Sequence, residues 1–260
     1  TLTLSLLLSS MLKYDGIFTL QARGEGPVGL LVADVTSKGA VRACASFDDE
    51  RLEHARESLA ALKTEEDSAS NHLAQYLGKG HLVFTVDHAD KANRYQGIVE
   101  LSGASLVDCI QHYFKQSEQI GTGIKLAVGQ RDGHWRAGGI MLQHMPEQGK
   151  NAQAGVSQLA EDDWRRAMVL MQSATEDELL DPDLGHNDLL FRLFHEEGVR
   201  VYDPYEMHKS CRCTADRVQT MLSGMSQEDL SYLEQDGVIE VTCDFCSQGY
   251  KFDPKSLQPV

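Results

Sequence analysis

The chain has 260 residues, of which 42% are hydrophobic and 24% are charged, a composition typical of globular proteins that excludes wholesale disorder. Its 39 acidic and 24 basic residues give a formal net charge of -15, which disfavours nucleic acids and anionic membrane surfaces as partners. No apolar run approaches the roughly 20 residues that cross a bilayer, and no signal peptide is recognisable, so we expect a cytoplasmic protein. Position 1 is Thr rather than Met, and we interpret the apolar opening TLTLSLLLSSML as the tail of an element in a fragment.

Residues 1–154 alternate apolar segments with glycine-rich turns. The segment GIFTLQARGEGPVGLLVADVTSKGAVRACASF predicts successive strands joined by tight turns, and a polar helical stretch follows from Arg51 to Tyr76. Further strands are predicted at HLVFTVDH, YQGIVEL, IKLAVGQ and WRAGGIMLQHM, with a helix from Ser105 to Gln119. Strands and helices without regular alternation predict an α+β fold, in which a β-rich N-terminal domain ends near the linker-like stretch Pro146 to Gly155.

Residues 155–207 differ in character, since they contain 13 acidic and only 4 basic residues. Three short amphipathic helices are predicted there, at DDWRRAMVLMQSAT, EDELLDPD and NDLLFRLFHEEG. The apolar faces carry Trp164, Met168, Leu170, Met171, Leu189, Leu190, Phe191, Leu193 and Phe194. Because the acids repel one another, we expect an acidic helical linker that depends on docking these faces onto a neighbour. Neutralising Glu176, Asp177 and Glu178 should then make the linker harder to unfold.

Residues 208–260 predict a small zinc-binding domain. Two closely spaced cysteine pairs flank residues 214–242, a segment long enough for two helices, one around Arg217 to Leu222 and one from Ser226 to near Gly237. Four thiolates suit the tetrahedral shell of Zn²⁺, and a domain of this size needs such a crosslink. We therefore predict one zinc ion per reduced chain, bound by Cys211, Cys213, Cys243 and Cys246. Four structural thiols or two disulfides are the alternative, and His208 is expected to be solvated rather than a ligand.

The remaining candidate motifs carry no predicted chemistry. Cys44 and Cys109 lie in apolar segments and are assigned to the core. The glycines of RGEGPVG fit a dinucleotide-binding pattern, but a strand follows instead of a helix, so a hairpin turn is predicted. His195 begins a zincin-like motif whose second histidine is replaced by Val199. With no catalytic motif recognised, we expect a protein that is not an enzyme.

The motif CRC is followed later in the chain by the motif CDFC. Upstream of both lie the segments FRLFHEEGVRVYDP, LKYDGIFTLQARGEGPVGLLVADV, LGKGHLVFTVD, RYQGIVEL and HYFKQSEQI. In these motifs and segments the chain resembles the heat shock protein 33 family of bacterial redox-regulated chaperones. The resemblance extends over essentially the whole chain, although the N-terminal opening of the family is absent. It implies that the switch cysteines are Cys211, Cys213, Cys243 and Cys246, and that the reduced, zinc-bound protein is inactive. Oxidation would release zinc, unfold the linker and yield a dimeric, ATP-independent holdase for unfolded clients under oxidative stress.

The spacing supplies a physical reason for such a switch. Metal coordination links the two pairs across a long loop, whereas disulfides within the pairs, Cys211 to Cys213 and Cys243 to Cys246, would close rings of only a few residues. Two other classes remain open: a constitutive zinc-ribbon binding module and a thiol-disulfide oxidoreductase. The net acidity of residues 208–260 argues against nucleic-acid binding by the first. The CDFC motif is predicted to lie between strands rather than at a helix start, which argues against the second.

Overall fold

The computed structural model describes residues 1–61, 72–89, 94–145 and 154–257. Helices and strands are mixed, which confirms the predicted α+β class. The helices are α1 (Leu2–Ser10), α2 (Asp49–Ala61), α3 (Leu73–Tyr76), α4 (Leu106–Tyr113), α5 (Ala154–Gln172), α6 (Glu176–Leu180), α7 (His186–Phe194), α8 (Ala215–Ser223) and α9 (Gln227–Leu233). The strands are β1 (Gly16–Gly24), β2 (Val28–Thr36), β3 (Ala40–Phe47), β4 (Gly80–His88), β5 (Arg94–Glu100), β6 (Thr122–Arg131), β7 (His134–Gln143), β8 (His208–Lys209), β9 (Glu234–Gln235), β10 (Val238–Thr242) and β11 (Gly249–Phe252). Among these helices, none has the length and apolar character that a membrane span requires.

A six-stranded sheet organises the first part of the chain, in the order β5-β4-β1-β2-β3-β8. Its neighbours are antiparallel except for β8, which pairs in parallel with β3. The predicted hairpin of RGEGPVG is present between β1 and β2. A Cβ added at Gly24 or Gly26 would lie within 2.5 Å of a carbonyl oxygen at the end of α3, so these glycines allow close backbone packing.

The main hydrophobic core lies between this sheet and the helices α1 and α4. On β1, buried residues alternate at Phe18, Leu20 and Ala22, as expected for a strand with one covered face. Leu8 of α1 and Ile110 of α4 are buried in the same cluster. The predicted helix from Ser105 begins at its capping box and continues from α4 into a single π-helical turn, Phe114–Glu118.

The acidic block of residues 155–207, called the acidic middle block below, packs against the β6–β7 hairpin. Leu180 of α6 is buried, and a Cβ on Gly138 of β7 would lie 1.9 Å from the carbonyl oxygen of Leu179, so α6 contacts the hairpin backbone directly. A second hydrophobic cluster joins the hairpin to α5 and α7, through Ile140, Met171, Ala174, Leu189, Leu193 and Phe194. The expected dependence on docking therefore has a structural basis. Phe191 is an exception to the predicted apolar face, since it is 69% exposed.

The C-terminal part of the chain forms a small unit with its own core of Leu222, Leu230, Ile239 and Leu257. The second predicted helix ends at Leu233 rather than near Gly237, because Glu234 turns into the extended strand β9 and pairs with Ile239. Asp236 and Gly237 have positive φ values and form the two-residue turn to β10.

Two predicted features fall wholly or partly outside the described residues. The helical stretch from Arg51 to Tyr76 is described at its two ends, as α2 and α3, but not at residues 62–71. The proposed domain exit near Pro146 to Gly155 lies largely within residues 146–153. The domain limits at 154 and 207 therefore stay predictions.

Candidate metal centre

The two cysteine pairs lie in two different backbone conformations, an extended segment and a tight turn. Cys211 and Cys213 lie in the extended segment between β8 and α8, and Thr214 caps α8 by accepting a hydrogen bond from the N–H of Arg217. Cys243 and Cys246 lie in a tight turn between β10 and β11. This turn is closed by a 2.7 Å hydrogen bond from the N–H of Ser247 to the carbonyl of Cys243, and by a 3.0 Å bond from the N–H of Cys243 to the carbonyl of Gln248.

The four thiols converge on one point, and their spacing fits a tetrahedral metal ion. All four Sγ atoms lie within 4.8 Å of one another. The Sγ atoms of Cys211 and Cys243 are 3.7 Å apart, and those of Cys213 and Cys246 are 3.3 Å apart. A Zn²⁺ ion with bonds of about 2.3 Å to sulfur has tetrahedral edges of about 3.8 Å. The cysteines are free thiols close enough together to hold a metal ion.

Cys211 and Cys246 differ in pKa because hydrogen bonds within the cluster shift them in opposite directions. Partial burial acts to raise the pKa of Cys211, but hydrogen bonds from the Cys213 backbone N–H and the neighbouring thiols outweigh it and lower that pKa to about 6. The backbone N–H of Gln248 acts to lower the pKa of Cys246, yet hydrogen bonds to the other thiols raise it to about 12. Cys211 therefore loses its proton more easily than Cys246, whose proton is displaced at neutral pH only when a cation binds.

The other predicted thiol assignments have different outcomes. Cys109 is fully buried and its S–H donates to the carbonyl of Ser102 at 3.1 Å, which confirms a core position. Burial raises the pKa of Cys109. Cys44 is only half-buried, so its assignment to the core is wrong. It lies on β3, on the side of the sheet where Asp244 and Cys243 are close enough to influence its charge. His208 is exposed in β8 and does not belong to the sulfur cluster.

Three charged residues that sequence reasoning missed connect this cluster to the large sheet. Asp34 of β2 lies opposite Arg42 of β3 in the strand register and accepts hydrogen bonds from Arg42 and Arg212. Arg42 also contacts Cys211 and stacks on Phe245 between the second pair of cysteines. The position of Arg212 inside CRC was a usable signal, but Asp34 and Arg42 lie far earlier in the sequence and become neighbours of the cysteines only in the fold.

Comparisons with known proteins agree with the resemblance found in the sequence. A family model described as Hsp33 protein matches residues 1–253. A 33 kDa chaperonin of Caulobacter vibrioides is 37% identical over 258 residues, covering 96% of this chain and 80% of the relative. A 33 kDa chaperonin of Escherichia coli is 34% identical over 255 residues, covering 98% of this chain and 78% of the relative. The crystal structure of a 33 kDa chaperonin, a heat shock protein 33 homologue from Thermotoga maritima, superposes with a TM-score of 0.74 at 21% identity, covering 98% of this chain and 81% of that one.

Proposed function

Because this chain belongs to the Hsp33 family of chaperones, we propose that it is a redox-regulated, ATP-independent holdase that is inactive when reduced and zinc-bound. The observation that carries the proposal is the convergence of two cysteine pairs, which flank residues 214–242 in the sequence, into one cluster of four sulfurs. With a metal ion bound, such a cluster would be a crosslink that oxidation can remove. We propose that it acts in the cytoplasm under oxidative stress.

In the reduced state, the four cysteines would hold one Zn²⁺ ion through Cys211, Cys213, Cys243 and Cys246. A structural zinc site contributes about 10 to 16 kcal/mol of apparent folding free energy at neutral pH. The C-terminal unit has only four buried hydrophobic residues in its core among the described residues, so a contribution of this size dominates its stability. Loss of the metal should therefore unfold this unit.

Oxidation by a peroxide proceeds in two balanced steps at each pair. A cysteine thiolate attacks one peroxide oxygen, forming a sulfenic acid and releasing hydroxide from hydrogen peroxide. The second thiolate of the pair then attacks the sulfenic sulfur, forming the disulfide and releasing a second hydroxide. Each disulfide has lost two electrons to one peroxide. The low pKa of Cys211 makes its thiolate the strongest candidate for the first attack on peroxide when Cys211 is not coordinated to the metal ion.

The proposed products keep no link between the two pairs. Disulfides from Cys211 to Cys213 and from Cys243 to Cys246 close small rings and leave the loop of residues 214–242 unconstrained. The acidic block that precedes Cys211 would then lose its C-terminal anchor. Undocking of α5 and α7 would expose the apolar side chains of Met171, Leu193 and Phe194, now buried against the β6–β7 hairpin.

The exposed faces suit unfolded clients, which offer apolar segments without a fixed shape. Exposed apolar surface also favours self-association, and we propose a homodimer as the oxidised form. The acidic residues of the middle block would keep client complexes in solution through charge repulsion. Nucleotide is not expected to contribute, because Gly24 and Gly26 of RGEGPVG pack against the end of α3 rather than form a phosphate cradle.

The test compares reduced, zinc-loaded protein with peroxide-treated protein in a light-scattering assay of a thermally unfolding client. We expect suppression of aggregation by the oxidised protein alone, with or without ATP, and reversal after thiol reduction and zinc addition. A variant with Ser at Cys109 is the matched control and should behave as the parent protein. Suppression that is equal in the reduced and oxidised states, or that requires ATP, would contradict the proposal. Turnover of a small disulfide substrate would favour the oxidoreductase class instead.

A further inference from the structure

A buried carboxylate on the large sheet faces the cysteine cluster. Asp34 is 4% exposed, and its Oδ1 accepts a 2.8 Å hydrogen bond from the hydroxyl of Thr19 on β1. Its Oδ2 accepts hydrogen bonds from Arg42 on β3, at 2.7 Å from both Nε and Nη2, and from Arg212 between the two cysteines of CRC. A buried carboxylate with several charge-assisted hydrogen bonds is a rigid anchor for whatever carries its partners.

Arg42 reaches from this carboxylate to both halves of the cysteine cluster. Its Nη1 lies 3.9 Å from the Sγ of Cys211, and its guanidinium carbon lies 3.9 Å above the ring centroid of Phe245. Phe245 lies between Cys243 and Cys246 in the sequence, so one arginine touches both segments that present the four sulfurs. A planar guanidinium is suited to this dual role, because it donates hydrogen bonds in its plane and stacks on aromatic faces.

The excess positive charge of the two arginines is compensated only when the sulfurs are thiolates. Arg42 and Arg212 bring two positive charges to the single negative charge of Asp34. Four thiolates around one divalent cation leave an excess of negative charge, which would compensate the remaining arginine charge. Conversion of Cys211 into a neutral disulfide would leave two arginines sharing one carboxylate in a partly buried place, where unpaired charge is costly.

We propose that Asp34, Arg42 and Arg212 form a docking site on the six-stranded sheet that recognises the anionic, thiolate state of the cysteine centre. This inference rests on the proposed redox switch and adds to it the surface on which the sheet detects the oxidation of Cys211. The three residues are positioning residues, since they act by holding the cysteine segments in place.

The docking site can transmit the oxidation of Cys211 to the neighbouring backbone, because the strand β8 beside it is only weakly held on the sheet. The strand β8 pairs with β3 over two residues only, through hydrogen bonds from the N–H of His208 to the carbonyl of Gly39 at 2.9 Å and from the N–H of Ser210 to the carbonyl of Val41 at 3.1 Å. So short a pairing is marginal without support from side chains. Release of the arginines should therefore free the segment that connects α7 to the first cysteine pair.

The experiment uses reduced, zinc-loaded protein and measures amide hydrogen exchange at His208 and Ser210. Arg42→Met keeps much of the aliphatic part of the side chain but removes the charge and the planar guanidinium group. In this variant we expect the zinc content to stay at one per chain. Exchange at these two amides should become about tenfold faster, equivalent to about 1.4 kcal/mol. Zinc release by peroxide should also be faster. Arg42→Lys, which keeps the charge without the planar guanidinium group, should give an intermediate exchange rate.

Arg56→Met is the matched control, because Arg56 is exposed on α2 and pairs with Glu53 alone among the described residues. It removes the same charge and should leave exchange and zinc release unchanged. Exchange at Leu20 in β1 checks that the sheet stays folded. Should Arg42→Met disturb the sheet, Asp34→Asn, which keeps the side-chain shape, supplies the same comparison.

Parental exchange rates at His208 and Ser210 in a folded, zinc-loaded Arg42→Met protein would overturn the docking site. An equal effect of Arg56→Met would do the same, since it would reduce the result to net charge. The proposed function fails on a different observation, namely that the oxidised parent protein does not protect clients. Exchange in the reduced protein is measured without any client, so the two failures are distinguishable.

Discussion

The substitution Glu178→Gln tests whether charge repulsion or specific contacts, a helix cap and an ion pair, control the stability of the acidic middle block. The charge count predicts that neutralising Glu176, Asp177 and Glu178 makes this block harder to unfold. The structure gives two of these acids, Asp177 and Glu178, specific partners. Glu178 completes the capping box of α6 by accepting from the N–H of Thr175 at 2.8 Å, and it pairs with Arg192 of α7, while Asp177 pairs with Arg131 of the hairpin. These contacts lead to the opposite expectation, that neutralisation makes the block easier to unfold.

The magnitude follows from the contacts that Gln would weaken. A helix cap contributes about 1 kcal/mol, and a surface ion pair contributes about 0 to 1 kcal/mol. The amide can still accept one hydrogen bond, so we expect a net loss of about 1 kcal/mol, or roughly fivefold in the opening equilibrium. Relief of like-charge repulsion offers only a few tenths of a kcal/mol in the opposite direction.

The effect should also depend on pH with a definite sign. The hydrogen bond from the Thr175 N–H and the pairing with Arg192 lower the pKa of Glu178. A carboxyl with a lowered folded-state pKa stabilises the fold above its unfolded pKa, and this stabilisation is lost as the pH falls through the folded value. The difference between parent and Glu178→Gln should therefore be present at neutral pH and shrink in acid.

Amide hydrogen exchange over α6 and α7 in the reduced protein is the assay. We expect exchange about fivefold faster in Glu178→Gln than in the parent, with zinc retained. Glu176→Gln is the matched control, because Glu176 lies in the same first turn but has no ion-pair partner among the described residues. Equal or slower exchange in Glu178→Gln would refute this reasoning and restore repulsion as the controlling force.

Three further outcomes follow from the cysteine cluster. Replacing Cys243 by Ser leaves three sulfurs and should weaken zinc binding by at least tenfold in chelator competition, and unchanged affinity would exclude this residue from the site. Alkylation followed by peptide mass spectrometry should modify Cys109 last, because it is fully buried with a raised pKa, and early labelling of Cys109 in folded protein would contradict its burial. Zinc affinity should rise with pH above about pH 6, with release of protons, because the raised pKa of Cys246 makes binding compete with protonation, and pH-independent affinity would show that thiolate formation is not coupled to binding.

Periodicity made much of the fold predictable. The alternation on β1 and β4 and the glycine-rich turns between strands are local signals, and the structure has strands at each predicted segment. The cysteine cluster was also predictable, because the spacing within each pair reflects the geometry of a tetrahedral site. Both patterns extend over only a few residues, so they can be recognised in a single sequence.

Features that depend on the tertiary fold were not predictable. Cys44 has an apolar sequence environment, yet it lies at a sheet position that the C-terminal unit approaches. Arg42 is joined to Arg212 through Asp34 only because the strand register and the chain return at β8 bring them together. The end of α9 was misplaced because the pairing of Glu234 with Ile239 competes with the helix, and local capping signals do not report strand pairing.

The most direct test of the switch follows zinc release and client protection in one time course during peroxide or hypochlorous acid treatment. A zinc-sensitive dye reports the metal, and light scattering of an unfolding client reports protection in samples quenched at the same times. We predict that protection appears only as zinc is lost, and that a variant with Ser at Cys211, Cys213, Cys243 and Cys246 neither binds zinc nor responds to the oxidant. Full protection before zinc leaves, or complete zinc loss that never yields protection, would contradict the account.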